Sequence, residues 1–205
     1  MMFGSNKHSI DVMHLIKEGS VGAEIGVWKG VSSEKFLKRN PKHLHLVDSW
    51  SVSAYVNSDE HGTYENYLNR YSELTGGNTP DDFAKYYEKV FVEVSRKFRQ
   101  PNVTIHRMQS DEWFEIQTAW CESSTEKLDW IYIDGDHSFK GCYRDLCNAV
   151  KVVKSGGYIL GDDYKWAFQK YGKDGVTQAV DKFQTVYNLK AEQEGTGSQF
   201  SIRMP

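Results

Sequence analysis

Short apolar runs that close on a glycine or an acid recur along this chain, separated by helix-patterned stretches, and nothing else in it narrows the fold so far. Residues 21–27 (VGAEIGV) read as a buried strand entering a glycine turn. Residues 43–47 (HLHLV) form a second strand, closing on Asp48. Val103–Arg107 is a third, and Leu128–Ile133 (LDWIYI) is a fourth that closes on Asp134. Residues 158–160 (YIL) are a fifth, closing on Gly161-Asp162-Asp163. Between them, apolar positions three and four apart predict helices over 31–38, 112–120, 143–153 and 176–187. Ser32 or Ser33 starts the first, Pro41 breaks it, and Gly156-Gly157 stops the third. A short helix over 9–17, ended by Gly19, precedes the first strand. Strands near 190–194 and at Gln199–Arg203 finish the chain. Strand–helix alternation implies a parallel sheet covered by helices on both faces, the Rossmann-like, doubly wound α/β class. In such folds ligands bind beyond the carboxyl ends of the strands, where these polar residues fall.

The stretch 51–100 breaks the rhythm. It is polar and tyrosine-rich (Tyr55, Tyr64, Tyr67, Tyr71, Tyr86, Tyr87), is punctuated by Gly76-Gly77-Asn78-Thr79-Pro80, and carries one amphipathic helix from Asp81-Asp82 through Phe83 to Val94. It reads as an insertion or lid too polar to own a core, within a single domain spanning 1–205. Its tyrosines, with His61, Tyr164 and Trp166, offer aromatic faces of the kind on which sugars sit.

Composition excludes several classes. Twenty-five basic against 28 acidic side chains leave a net charge of −3, too balanced to announce a nucleic acid or an anionic membrane. The basic groups at Lys38-Arg39-Lys42 and Arg96-Lys97-Arg99 read as solvated helix ends. Three cysteines, Cys121, Cys142 and Cys147, with no CxxC pair, suit buried thiols in a reducing compartment rather than a disulfide framework or a zinc site. The opening lacks a signal peptide's apolar run, and no apolar stretch is long enough to span a bilayer. The expected location is the cytoplasm. The chain is compatible with a whole protein and with a domain of a longer one, and a homo-oligomer stays open.

The glycine turn reads Glu24-Ile25-Gly26-Val27-Trp28-Lys29-Gly30, an ExGxxxG pattern rather than the GxGxxG of dinucleotide-binding turns. A glycine there lets backbone approach a ligand. Asp48, ending the next strand, stands where a carboxylate accepts both hydroxyls of a ribose. Asp134, Asp136 and His137 (IDGDHS) end one strand and Asp162 and Asp163 (GDDY) the next. Neighbouring strands lie about 4.8 Å apart, so Asp134 and the acid pair can face one cation. Converging carboxylates without Arg or Lys between them need a cation or a proton. Oxygen ligands favour Mg²⁺, Mn²⁺ or Ca²⁺ over zinc.

These residues carry a resemblance. EIGVWKG, LVDSW, DWIYIDGDHSF and GGYILGDDY resemble the class I S-adenosylmethionine-dependent methyltransferases from Val21 to the chain end. The resemblance implies a seven-stranded sheet with the last strand antiparallel. It places Glu24, Gly26 and Gly30 at the donor's methionine part and Asp48 at its ribose, with Val27, Trp28 and Ser49 also among the donor-binding residues. Trp50, Ser110 and Asp111 fall against the adenine, and Asp134 beside the donor. The DGDH and GDD motifs are similar to those of the metal-dependent O-methyltransferases that act on sugars of macrolides and related glycosides. That likeness implies Asp134, Asp162 and Asp163 as ligands of a divalent cation, Mg²⁺ first and Mn²⁺ next. His137 is the implied general base, aided by Asp134. Asp136, Tyr164 and Trp166 are the expected substrate contacts. The Asn-Pro-Pro-aromatic tetrad of base and amide N-methyltransferases is absent, which argues against methylation of nucleic acid. The expected activity is O-methylation of a small polyol, with a sugar or glycan hydroxyl favoured. A catechol-type O-methyltransferase and a non-catalytic S-adenosylmethionine-binding domain are the alternatives.

Overall fold

The computed structural model describes residues 11–56, 62–165, 174–195 and 197–205. Its strands are β1 (Val21–Ile25), β2 (His43–Asp48), β3 (Val103–Arg107), β4 (Leu128–Ile133), β5 (Val153–Gly161), β6 (Ala191–Glu194) and β7 (Gln199–Arg203). They form one seven-stranded sheet in the order β3-β2-β1-β4-β5-β7-β6, with β7 antiparallel to both neighbours. The helices are α1 (Val31–Leu37), α2 (Tyr64–Arg70), α3 (Ser72–Thr75), α4 (Pro80–Lys97), α5 (Ser110–Ser124), α6 (Phe139–Val152) and α7 (Gly175–Tyr187). Among the described residues, no helix is long and apolar enough to cross a membrane.

The central strands are apolar on both sides because both sheet faces are covered. On one face Ala23, Ile25, Ile131 and Ile133 pack with Trp113 and Phe114 of α5, Leu146 and Ala149 of α6, and Val180 and Phe183 of α7. On the other, Leu44, Leu46, Trp130, Tyr132 and Leu160 meet Phe36 of α1 and Val90 and Val94 of α4. Successive residues along each strand thus serve opposite cores, and residues two apart serve the same one.

Local chemistry sets the helix starts. Gly30, at φ 69°, precedes α1, so neither Ser32 nor Ser33 begins it. Thr79 and Asp82 cap α4 reciprocally, with Pro80 in the first turn. The Ser138 hydroxyl accepts from Gly141 N–H at the head of α6, and Asp174 accepts from Val176 and Thr177 at the head of α7.

Three further expectations change. The helix predicted over 9–17 is, among the described residues, a 3₁₀ turn at Asp11–Leu15 whose Val12 is fully buried. Gly156-Gly157 do not stop α6, which ends at Val152 as the β-branched Val153 enters β5 directly. Val153 pairs with Leu128 and Tyr158 with Trp130, so the residues between them, including the glycines, bulge out of register. The insertion also holds more apolar packing than its composition suggested. Tyr67, Leu68 and Phe83 form a small cluster of their own, while the second half of α4 enters the main core.

Candidate active site

The β1–α1 turn forms the floor of the site. Gly26 lies at φ 88°, and a Cβ there would stand 2.1 Å from the carbonyl oxygen of Asp134. Only glycine permits that φ and that approach together. The turn is pinned by Gly26 N–H donating to Val47 C=O (2.9 Å) and Asp134 N–H to Ile25 C=O (2.8 Å). Glu24 is 1% exposed and accepts from the Ser33 hydroxyl, tying β1 to α1. Burial, with the charges of Asp134 and Asp48 adding to it, holds its carboxyl well above the usual range.

Asp48 accepts from Trp28 N–H on one oxygen (2.8 Å) and from Trp50 N–H on the other (2.7 Å). Burial raises its pKa, and backbone amides of Trp50, Trp28, Val27 and Ser49 oppose that rise. Asp48 lines the cavity and, when ionised, can only accept, so a ligand hydroxyl that reaches it is the donor. Trp50 is placed otherwise than expected. It is 1% exposed, its indole N–H donates to Trp28 C=O (2.9 Å), and its ring packs on Phe91. It braces the turn from beneath instead of facing a ligand.

A cavity of about 690 Å³ opens above this floor. Glu24, Gly26, Val27, Trp28, Asp48, Ser49, Ser110, Asp111, Asp134, Asp136 and His137, all named from sequence, line it. Gly30 stands just outside, capping α1. Tyr67, Tyr71, Tyr86 and Tyr87 of the insertion line the opposite side. Three charged lining residues were not among the expected site residues: Lys29, Arg144 and Asp145. Asp145 is 1% exposed, accepts from the Ser110 hydroxyl (2.8 Å), and is pushed up to about 6 by burial, which Ser110 and Arg144 oppose. The signal for it was present, since Asp145 sits among Cys142, Leu146, Ala149 and Val152 on the apolar side of α6, where a carboxylate is out of place.

At the carboxyl ends of β4 and β5, His137 bridges two acids. Its Nε2 lies 3.3 Å from Asp134 and its Nδ1 3.1 Å from Asp163. One ligand atom from each of Asp134, His137 and Asp163 lies within 4.8 Å of the others. Asp163 takes φ 62°, and burial pushes its carboxyl up to about 7 while the neighbouring His137 lowers it. Asp162 does not join this group. Its carboxylate accepts from the Ser198 hydroxyl (2.6 Å), Asp163 N–H (2.8 Å) and the Tyr132 hydroxyl (3.3 Å). It holds the β5 end to the chain entering β7, leaving Asp134 and Asp163 as the converging carboxylates.

The expected substrate contacts divide. Asp136 reaches the cavity wall, yet its carboxylate accepts from Ser138 N–H (2.9 Å) and packs against Gly141 at the head of α6. Tyr164 is 4% exposed, its hydroxyl donates to Asp181 (3.0 Å), and it lies outside the cavity lining. His61 and Trp166 lie outside the described residues.

Against known proteins, a family model described as a methyltransferase domain matches residues 23–164. No curated protein matches. Among solved structures the chain is similar to an O-methyltransferase from Bacillus cereus in complex with SAH, at 15% identity over 94% of this chain and 76% of that one, TM-score 0.51. It is similar to Aeropyrum pernix fibrillarin with natively bound S-adenosyl-L-methionine, at 13% identity over 92% and 67%, TM-score 0.54. Spermidine synthase from Thermotoga maritima matches at 13% identity over 95% and 57%, TM-score 0.57. At such identities these three likenesses are of fold. The family match takes in the glycine turn, Asp48, Asp134, His137 and the β5 acids, and with the sheet order it makes the chain a member of the methyltransferase domain family, of the S-adenosylmethionine-dependent class I kind.

Proposed function

We propose that the chain transfers a methyl group from S-adenosylmethionine to a hydroxyl oxygen of a small polyol, with a sugar or glycan as the favoured acceptor, assisted by a divalent cation. The observation that carries this reading is the convergence of Asp134, His137 and Asp163 where β4 and β5 end, with Asp134 and His137 reaching the cavity. Asp134 and Asp163 would hold the cation, Mg²⁺ or Mn²⁺. The donor set fits, because two facing carboxylates, one of them raised to about 7, are short of positive charge. Such an ion, when bound, supplies Lewis acidity that makes a hydroxyl a better nucleophile.

The protein's own groups do the rest. The donor brings an already activated methyl group, so the site has to position it and remove a proton from the acceptor. The turn at Gly26 brings backbone to the donor, and Asp48 takes its ribose hydroxyls. An imidazole that donates to one acid through one ring nitrogen keeps the other to accept a proton. Both His137 ring nitrogens face an acid, so it would take the acceptor's proton once one of those carboxylates turned to the cation and released its nitrogen. The tyrosine side of the cavity, from the insertion at 51–100, is the lid in this reading. It offers flat faces to a sugar and keeps water from the reacting atoms. The whole chain then works as one domain.

The test is calorimetric titration of S-adenosylmethionine and S-adenosylhomocysteine, each with Mg²⁺ and with EDTA, followed by a methyl-transfer screen of sugars against catechols. Micromolar binding of both sulfur ligands, with turnover on sugars that chelation abolishes, is expected. Turnover that survives exhaustive chelation removes the cation, and turnover on catechols alone replaces the acceptor.

A further inference from the structure

Two polar groups of the cavity have no part in the chemistry above. The Tyr86 hydroxyl is the buried side-chain polar atom left without a hydrogen-bond partner among the described residues. Tyr86 lines the cavity from α4. An unpaired buried hydroxyl is costly, which makes a ligand atom an obvious partner for it. The second group is Lys29 of the β1–α1 turn. Its ammonium lies 4.6 Å from the Trp28 ring centroid and 6.0 Å from that of Tyr86, and it makes no ion pair among the described residues. Arg144, the other strong base of the lining, is already engaged by Asp111 (3.7 Å) and Asp145 (3.5 Å).

We infer that Lys29 and Tyr86 form a carboxylate-recognition subsite joining the floor of the cavity to its lid. An ammonium and a phenolic O–H both donate to a carboxylate oxygen. A neutral sugar hydroxyl would satisfy Tyr86 and gain nothing from the charge of the exposed Lys29, whereas a carboxylate uses both groups. A phosphate dianion fits worse, because Asp48, Asp134 and Asp136 share the same cavity and repel a second negative charge more strongly. The carboxylate has two sources: the amino-acid end of the donor, or an acid group on the acceptor such as that of a uronic acid. The inference rests on the methyltransferase reading of the cavity. It adds that a carboxylate contact draws α4 and the glycine turn together.

The experiment pairs probes that differ in that group. S-adenosylhomocysteine is compared with 5′-methylthioadenosine, which lacks the amino-acid carboxylate, by calorimetry. Glucuronate is compared with glucose by saturation-transfer NMR on the protein with S-adenosylhomocysteine present. The variants are Lys29→Met and Tyr86→Phe, each checked for folding by circular dichroism. Lys29→Met should weaken the carboxylate-bearing member of one pair roughly ten- to a hundredfold and change its counterpart by less than about twofold, the scale of a charged hydrogen bond. The pair affected names the source. Tyr86→Phe should weaken the same probe while raising the melting temperature of the ligand-free protein, which a purely structural role for the hydroxyl would not do. If wild type binds S-adenosylhomocysteine and Lys29→Met leaves all four probes unchanged, or weakens both members of a pair alike, the subsite is wrong and the methyltransferase reading stands. If wild type binds neither sulfur ligand, both readings fall.

Discussion

Asp145 gives the most direct check on the electrostatics of the cavity wall. Its carboxyl, 1% exposed, is pushed from its ordinary 3.8 to about 6 by burial, against the pull of Ser110 and Arg144. The folded protein therefore holds this proton more tightly than the unfolded chain does. Stability from this group is full below about pH 4 and drains away as pH rises through about 6. The gap between 3.8 and about 6, at 1.36 kcal/mol per pH unit, is about 3 kcal/mol. Asp145→Asn keeps the shape and the acceptor for the Ser110 hydroxyl, and it removes the titration. The variant minus wild-type difference should climb by about 3 kcal/mol between pH 4 and pH 7.5, then level off. For a chain of this size that is roughly 6–12 °C in melting temperature. Calorimetric melts of both proteins at half-unit pH steps, with EDTA throughout, read this directly. A difference that stays flat over the range would mean the carboxyl is ionised in the fold at all these pH values, and the argument from burial would be refuted.

Gly26→Ala forces an L side chain to φ 88° with its Cβ 2.1 Å from the Asp134 carbonyl, so we expect a loss of about 2–4 kcal/mol in thermal melts. The same variant should fail to bind S-adenosylhomocysteine in calorimetry, because the turn must move. His137→Ala should lower turnover about 10²-fold or more while S-adenosylhomocysteine binds within about twofold of wild type; normal turnover would remove His137 from the base role. Thr79→Ala strips the reciprocal cap from α4 and should cost about 1 kcal/mol. Faster hydrogen exchange confined to the first turns of α4, with the sheet unchanged, is the expected signature.

How much of this was legible in sequence followed from what each residue's environment is made of. Val103–Arg107, Leu128–Ile133 and Gln199–Arg203 stand where their patterns placed them, because strand ends are written locally by turn residues and apolar alternation. Glu24, Gly26, Asp48, Asp134 and His137 were legible for the related reason that a strand's carboxyl end has a fixed address in this topology. Trp50 and Asp162 were not. Whether an indole faces a ligand or braces a turn depends on Phe91, far along the chain. Whether a carboxylate faces a cation or a serine depends on Ser198 arriving from the other side of α7. The bulge around Gly156 was hidden similarly, since two glycines after a helix fit a stop as well as a strand irregularity. Short α2 and α3 carry too few turns to show a period.

The double allegiance of α4 has a consequence for how such a protein can change over time. Phe83 packs with Tyr67 and Leu68 in the insertion's own cluster, whereas Val90 and Val94 pack with the sheet. The half beside the insertion's cluster and the half that secures the helix to the sheet therefore share one backbone and few neighbours, Tyr87 among them. Substitutions distant from one another and without shared partners combine almost independently. Changes to the tyrosine wall of the cavity can therefore accumulate at the insertion end of α4 while the end anchored on the sheet is inherited unaltered.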